Sequence, residues 1–195
     1  ALGYHIRALQ ALENEPSSNA STALQLKIEL HCGDDYRALG AYAQAHDHYE
    51  RSRSFLSAEH DMKTAAALYL SLGYCTYAAM YQNAGRVHSD DMPERERQFQ
   101  RAIGFLVQSR SIYQVSGNRV GEAIARLTQA LVLLDLCTPQ RQAVNGRSVK
   151  TGSISSIQYM SLLDEAEEQC RQVLLGWQEP PDISPPEQDA LLYTT

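Results

Sequence analysis

Chemistry needs particular residue types at particular spacings, and a few stretches of this chain carry such types. His46-Asp47-His48 sets two imidazoles around a carboxylate, the donor types of a metal site. On a helix, however, residues two apart point to different faces, so both imidazoles would not converge on one ion. Asn145-Gly146-Arg147-Ser148-Val149-Lys150 is basic around a single glycine. It lacks the G-x-x-x-x-G-K-(S/T) run that turns backbone amides toward a nucleotide, and reads as a polar insertion. Cys32, Cys75, Cys137 and Cys170 form no C-x-x-C pair and sit in apolar helical patterns, which reads as buried free thiols. Asn19-Ala20-Ser21 fits a glycosylation acceptor by type, without a secretion signal beside it. The expectation is a chain that is not an enzyme and calls for no metal, no cofactor and no small-molecule substrate.

Tyrosine stands out more, with 11 residues against three phenylalanines and one tryptophan. Tyr69, Tyr74, Tyr77 and Tyr81 fall on one long helical pattern. Tyrosine there either packs helices together or offers a partner a large apolar area with a hydrogen-bonding tip.

The totals bound what can position these residues. A chain of 195 residues, 44% hydrophobic and 21% charged, holds one domain with an ordinary core. No run approaches the roughly 18 uncharged apolar residues that span a bilayer, and Ala1 opens no signal-peptide pattern, so the chain reads as soluble and cytoplasmic. A net charge of −6 argues against a nucleic-acid surface, which gains affinity from clustered cations. Charge is unevenly spread. Residues 136–163 hold Arg141, Arg147 and Lys150 with no acid, whereas the residues after Gln172 hold acids and no base. That split raises the possibility of a tail folding back, with Leu191, Leu192 and Tyr193 as anchors.

Proline is absent between Pro16 and Pro93 and between Pro93 and Pro139, and Ala, Leu, Gln, Glu and Arg dominate those stretches. The pattern predicts helices over 1–13, 22–39, 42–57, 60–84, 93–115, 119–137 and 160–177, an all-α chain of about seven helices. Gly40, Gly85 and Ser116-Gly117-Asn118 supply breaks. Residues 138–158 read as a long polar loop. Residues 178–195, with four prolines, read as an acidic, extended tail.

One stretch explains how the helices pack. Gly33 with Tyr36, a turn at Gly40 and Tyr42, then Ala45, Tyr49 and Ser52 alternate small and large residues at fixed offsets. The second part recurs as Ala1, His5, Ala8, as Ala102, Leu106, Ser109 and as Ala166, Cys170, Val173. The first recurs as Leu72-Gly73 with Thr76 and as Gln129-Ala130 with Leu133. This resembles the tetratricopeptide repeat (TPR) family, a helix–turn–helix repeat of 34 residues, over most of residues 1–177. The distance from Ser52 to Gly73 and from Ser109 to Ala130 is 21 residues in both cases, longer than the family's spacing and similar to kinesin-light-chain repeats. The resemblance implies an α-solenoid of antiparallel helix pairs.

It also implies an inner surface built by the first helix of each pair. Carried over by position, that surface is Lys27, Leu30, Asp34 and Arg37, then Leu70, Tyr74 and Tyr77, then Ile124, Leu127, Leu131 and Leu134. Members that capture an acidic peptide end use a lysine and asparagines there. Leu30 and Asp34 occupy the first lysine and asparagine places, which turns the expectation toward an apolar or helical segment. The function expected is therefore a scaffold that binds a protein or peptide segment. The alternative is the helical sensor arm of a larger signal-transduction ATPase or transcriptional regulator. Ala1 falls inside a second helix, as in a piece of a longer protein. A weaker third reading is an RNA-binding solenoid using residues 138–158.

Overall fold

Two glycines set the tightest turns. The computed structural model describes residues 1–12, 19–56, 62–83, 92–137 and 156–178. Gly40 (φ 72°) and Gly117 (φ 69°) both occupy the left-handed region that glycine adopts without strain. The Ala41 amide donates to Tyr36 O at 2.9 Å and the Gly40 amide to Arg37 O at 3.0 Å. Asn118 and Gly117 repeat this on Tyr113 O and Gln114 O at 2.9 and 3.2 Å. This is the glycine-based C-cap that satisfies a helix's last carbonyls. Asn118 then starts the next helix, its Oδ1 accepting the Gly121 amide at 2.9 Å.

The helices so delimited are α1 (Leu2–Leu12), α2 (Asn19–Ala38), α3 (Tyr42–Ser54), α4 (Met62–Asn83), α5 (Met92–Val115), α6 (Arg119–Cys137) and α7 (Ser156–Gln178). Among the described residues all regular structure is helix, seven in number, as the sequence predicts. Boundaries shift at several ends: α2 begins three residues before the expected start, α7 begins four before it, and α3 stops at Ser54. The loop and tail expectations fall, over 138–155 and 179–195, outside the described residues.

Each helix packs on its neighbour in the chain, and α4 also touches α6. The core accordingly runs as a series of clusters. Ala45, Tyr49, Leu68, Leu72, Cys75 and Phe105 join α3, α4 and α5. Tyr77, Phe99, Ala102, Leu106 and Val132 join α4, α5 and α6. Ala130 and Leu133 on α6 meet Cys170 on α7.

Small residues form the contact points. A Cβ on Gly33 would stand 2.5 Å from the Tyr49 ring, and one on Gly73 would stand 2.7 Å from Leu106 Cγ. Ala45 and Ala102 are fully buried. Ser52 Oγ donates to Leu26 O at 3.0 Å, and Ser109 Oγ donates to Ala66 O at 2.8 Å. The pair α4/α5 thus repeats, position by position, the contacts of α2/α3. In both pairs the nearest partner of the glycine is a large side chain, and at Gly73 the Ala102 carbonyl oxygen also stands 3.1 Å from the Cβ position.

Candidate protein-binding surface

The repeated contacts fix a register between helices, and the register picks out one face on each of α2, α4 and α6. Gly33 corresponds to Gly73 and then to Ala130, so Leu30 corresponds to Leu70 and Leu127, Asp34 to Tyr74 and Leu131, and Arg37 to Tyr77 and Leu134.

On α2 this face is ionic. Lys27 and Arg37 are exposed, with Leu30 and Asp34 half-buried. Tyr49 reaches across from α3 over Gly33, and its hydroxyl donates to Asp34 Oδ1 at 2.7 Å. Arg37 Nε donates to the same hydroxyl at 3.2 Å, and Arg37 pairs with Asp34 at 3.3 Å. Burial, then the Asp34 carboxylate, push the Tyr49 phenol above its ordinary value, so it remains a donor. Burial opposes the Arg37 charge, but the hydroxyl and the carboxylate outweigh it and raise the guanidinium's pKa. The three contacts tie Asp34 and Arg37 of α2 to Tyr49 of α3.

On α4 the face is aromatic. Tyr74 is half-buried, its ring edge-on to Tyr42 with centroids 5.8 Å apart. The hydrogen bond with Tyr42, followed by burial, raises its pKa. Leu70 is half-buried between α4, α5 and α6. Tyr77 departs from expectation: it is only 8% exposed and packs against Phe99, and its hydroxyl donates to Asp135 on α6. The reason is α6, which lies against this part of α4 and converts an offered tyrosine into a packing one. Tyr69 likewise stacks near Phe105, centroids 6.3 Å apart, and the side chain of Tyr81 lies outside the description.

On α6 the face is apolar and open. Ile124, Leu127, Leu131 and Leu134 are 47%, 43%, 46% and 43% exposed. Val120 extends the stripe by one turn; four residues before Ile124, it carries the same spacing signal, and sequence reasoning left it out. Leu174 and Leu175 on α7 are further exposed leucines outside the expected surface.

Polar groups elsewhere serve the helix contacts. His48 is buried and donates through Nδ1 to Glu29 Oε2 at 2.6 Å, its ring stacked on Tyr36. His46 faces Glu50 instead, at 3.8 Å, and burial lowers its pKa. Arg110 on α5 and Arg126 on α6 both donate to Gln169 Oε1 on α7, at 3.0 and 2.9 Å. Arg126 also pairs with Glu122 at 2.7 Å. Burial, then the neighbouring Arg126 charge, lower the pKa of Arg110. Among the described residues no three metal-ligating side chains converge, and no helix is long and apolar enough to cross a membrane.

Comparison with protein-family models, with curated proteins and with solved structures finds no match for this chain.

Proposed function

We propose that this chain is a TPR-like α-solenoid, a stack of antiparallel helix pairs, and that it works as a non-enzymatic protein-binding module. In this reading the surface made by α2, α4 and α6 holds an apolar or helical segment of another polypeptide. Lys27, Asp34 and Arg37 orient one end of that segment, Leu70 and Tyr74 contact its middle, and Leu127 and Leu131 bury its apolar side.

The observation that carries the reading is the row of half-exposed apolar side chains on α6, continued by register onto Leu70 and Tyr74. On α6, Ile124, Leu127, Leu131 and Leu134 are between 43% and 47% exposed, and apolar side chains left open to water along one helix face are the kind of surface that takes part in an interaction. Finishing the burial of each leucine would contribute roughly 1 kcal/mol, enough for a few anchors to dominate affinity. The packing in chain order and the contacts shared by α2/α3 and α4/α5 support the solenoid part.

The test is capture of protein from a cell extract by the immobilised chain, repeated with Tyr74→Ala and with Lys27→Glu. Lys27 lies at the surface, so its variant should melt nearly as the parent does, whereas Tyr74→Ala loses its packing on Tyr42 and should melt lower while still folded; in both a captured species is lost or reduced. Identical capture by all three forms contradicts the reading.

A further inference from the structure

Side chains of α3 and α5 meet around a single carboxylate. Glu50 on α3 pairs with Arg53 of its own helix through Oε2 at 2.7 Å and with Arg101 of α5 through Oε1 at 2.6 Å. Both guanidiniums also lie over the Phe105 ring of α5, each 5.6 Å from its centroid. One negative charge therefore serves two positive ones. His46 faces the same carboxylate at 3.8 Å, but burial lowers its pKa, so it adds no charge near pH 7.

The corresponding positions on α5 and α7 carry no such surplus. In the register of Ala45, Ala102 and Ala166, Arg53 corresponds to Arg110, Glu50 to Val107, Arg101 to Glu165 and Phe105 to Gln169. Those four positions supply one arginine and one carboxylate. The contact itself is kept, since Arg110 bonds Gln169 where Arg53 covers Phe105. What differs between α3 and α5 is the second guanidinium.

We infer that the Arg53–Arg101 pair is a docking point for a short carboxylate-rich segment of another polypeptide. It uses α3 and α5 rather than the α2/α4/α6 surface, and it stands independently of that reading.

Three features favour this occupant. Each arginine reaches Glu50 through Nη2, while Nε and Nη1 have no partner among the described residues and the side chains are 43% and 46% exposed. Both can thus donate to a second acceptor without releasing Glu50. Glu50 and Phe105 already hold the two guanidiniums, so little side-chain freedom is lost when an anion arrives. Finally, the surplus is local in a chain of net charge −6. An extended polyanion such as a nucleic acid is repelled by the rest of the chain, whereas a few carboxylates meet mainly the two arginines.

Fluorescence anisotropy of labelled hexaglutamate titrated with the full chain at about 20 mM salt tests this, with thermal melting as the check on folding. Arg53→Gln and Arg101→Gln should each weaken binding about fivefold or more. Arg97→Gln removes the same charge from an exposed arginine of α5 that pairs with Glu94, and should change binding less than about twofold. Glu50→Gln should tighten it, because the internal carboxylate no longer competes. No binding up to about 1 mM chain, equal weakening by Arg97→Gln and Arg101→Gln, or weaker binding by a folded Glu50→Gln each overturns the docking point. An oligothymidylate of equal charge that binds more tightly than hexaglutamate overturns the acidic segment in favour of a nucleic acid.

Discussion

The phenol of Tyr49 crosses from α3 over Gly33 of α2 and ends on Asp34 at 2.7 Å, so one side chain fixes both the spacing and the polar edge of that helix pair. The same arrangement without the hydroxyl joins Leu106 to Gly73, where a Cβ would stand 2.7 Å from Leu106 Cγ and 3.1 Å from Ala102 O. Gly73→Ala should therefore cost about 1–3 kcal/mol through overpacking, since backbone as well as side chain must shift. Gly104, on the exposed side of α5 with nothing near its Cβ position, supplies the control. Gly104→Ala should stabilise by about 0.5–1 kcal/mol, because a mid-helix glycine carries extra chain entropy. Urea unfolding of both variants checks the contrast.

The two serine hydroxyls give a second prediction. Ser52 and Ser109 are fully buried and bond carbonyls of the facing helix. Replacing either with alanine removes a donor and leaves a carbonyl without that bond, which should cost about 1 kcal/mol at each site. Equal losses at the two positions are expected because the contacts correspond. A loss at one and not the other would show that the helix pairs do not share their packing.

How much of this was legible in the sequence depends on the kind of contact. Helix spans followed from proline-free runs of good helix formers and from the breaks at Gly40 and Gly117, since local chemistry decides a turn. Gly33, Ala45 and Ser52 also showed where helices touch, because only small residues tolerate close approach. What lay outside that logic was the third neighbour. Nothing local to Tyr77 says that α6 will lean on it, so a side chain in the right register for the open surface turned out to be core. Glu29 presents the same difficulty, because a carboxylate in a polar stretch gives no sign that His48 will enclose it from α3. The open stripe on α6 was readable for four of its five side chains, and Val120 was overlooked because it stands at the helix start.

That enclosed pair yields a third prediction. Glu29 and His48 are 6% and 9% exposed and 2.6 Å apart, so removing the carboxylate leaves a buried imidazole without its partner. Glu29→Ala should lower stability by about 3 kcal/mol. His5 and Asp35 join α1 to α2 at a similar distance, 2.9 Å, but with more water around them. His5→Ala should cost less than about 1 kcal/mol. Thermal melting of the two variants side by side reads the difference.

A fourth prediction concerns alkaline pH. Burial, followed by the charges of Glu29 and Asp35, pushes the Cys32 thiol from 9.0 up to about 11, and burial pushes Cys75 up to about 12. The fold therefore holds the thiol proton more tightly than the unfolded chain does. This contribution is fully present below pH 9.0 and is lost as pH rises through about 11 to 12. The urea midpoint should fall between pH 9 and pH 11, less steeply in Cys75→Ala, and both thiols should resist a thiol reagent at pH 8 until the chain unfolds.

The central claim is that small residues in register seat large side chains of the neighbouring helix, and a double-mutant cycle at Gly33 and Tyr49 tests it most directly. Urea unfolding is measured for the parent, Gly33→Ala, Tyr49→Leu and the double variant. The account predicts that Gly33→Ala destabilises strongly beside Tyr49 and little beside leucine, a coupling of at least about 1 kcal/mol. Additive effects, with alanine equally costly in both backgrounds, would contradict it.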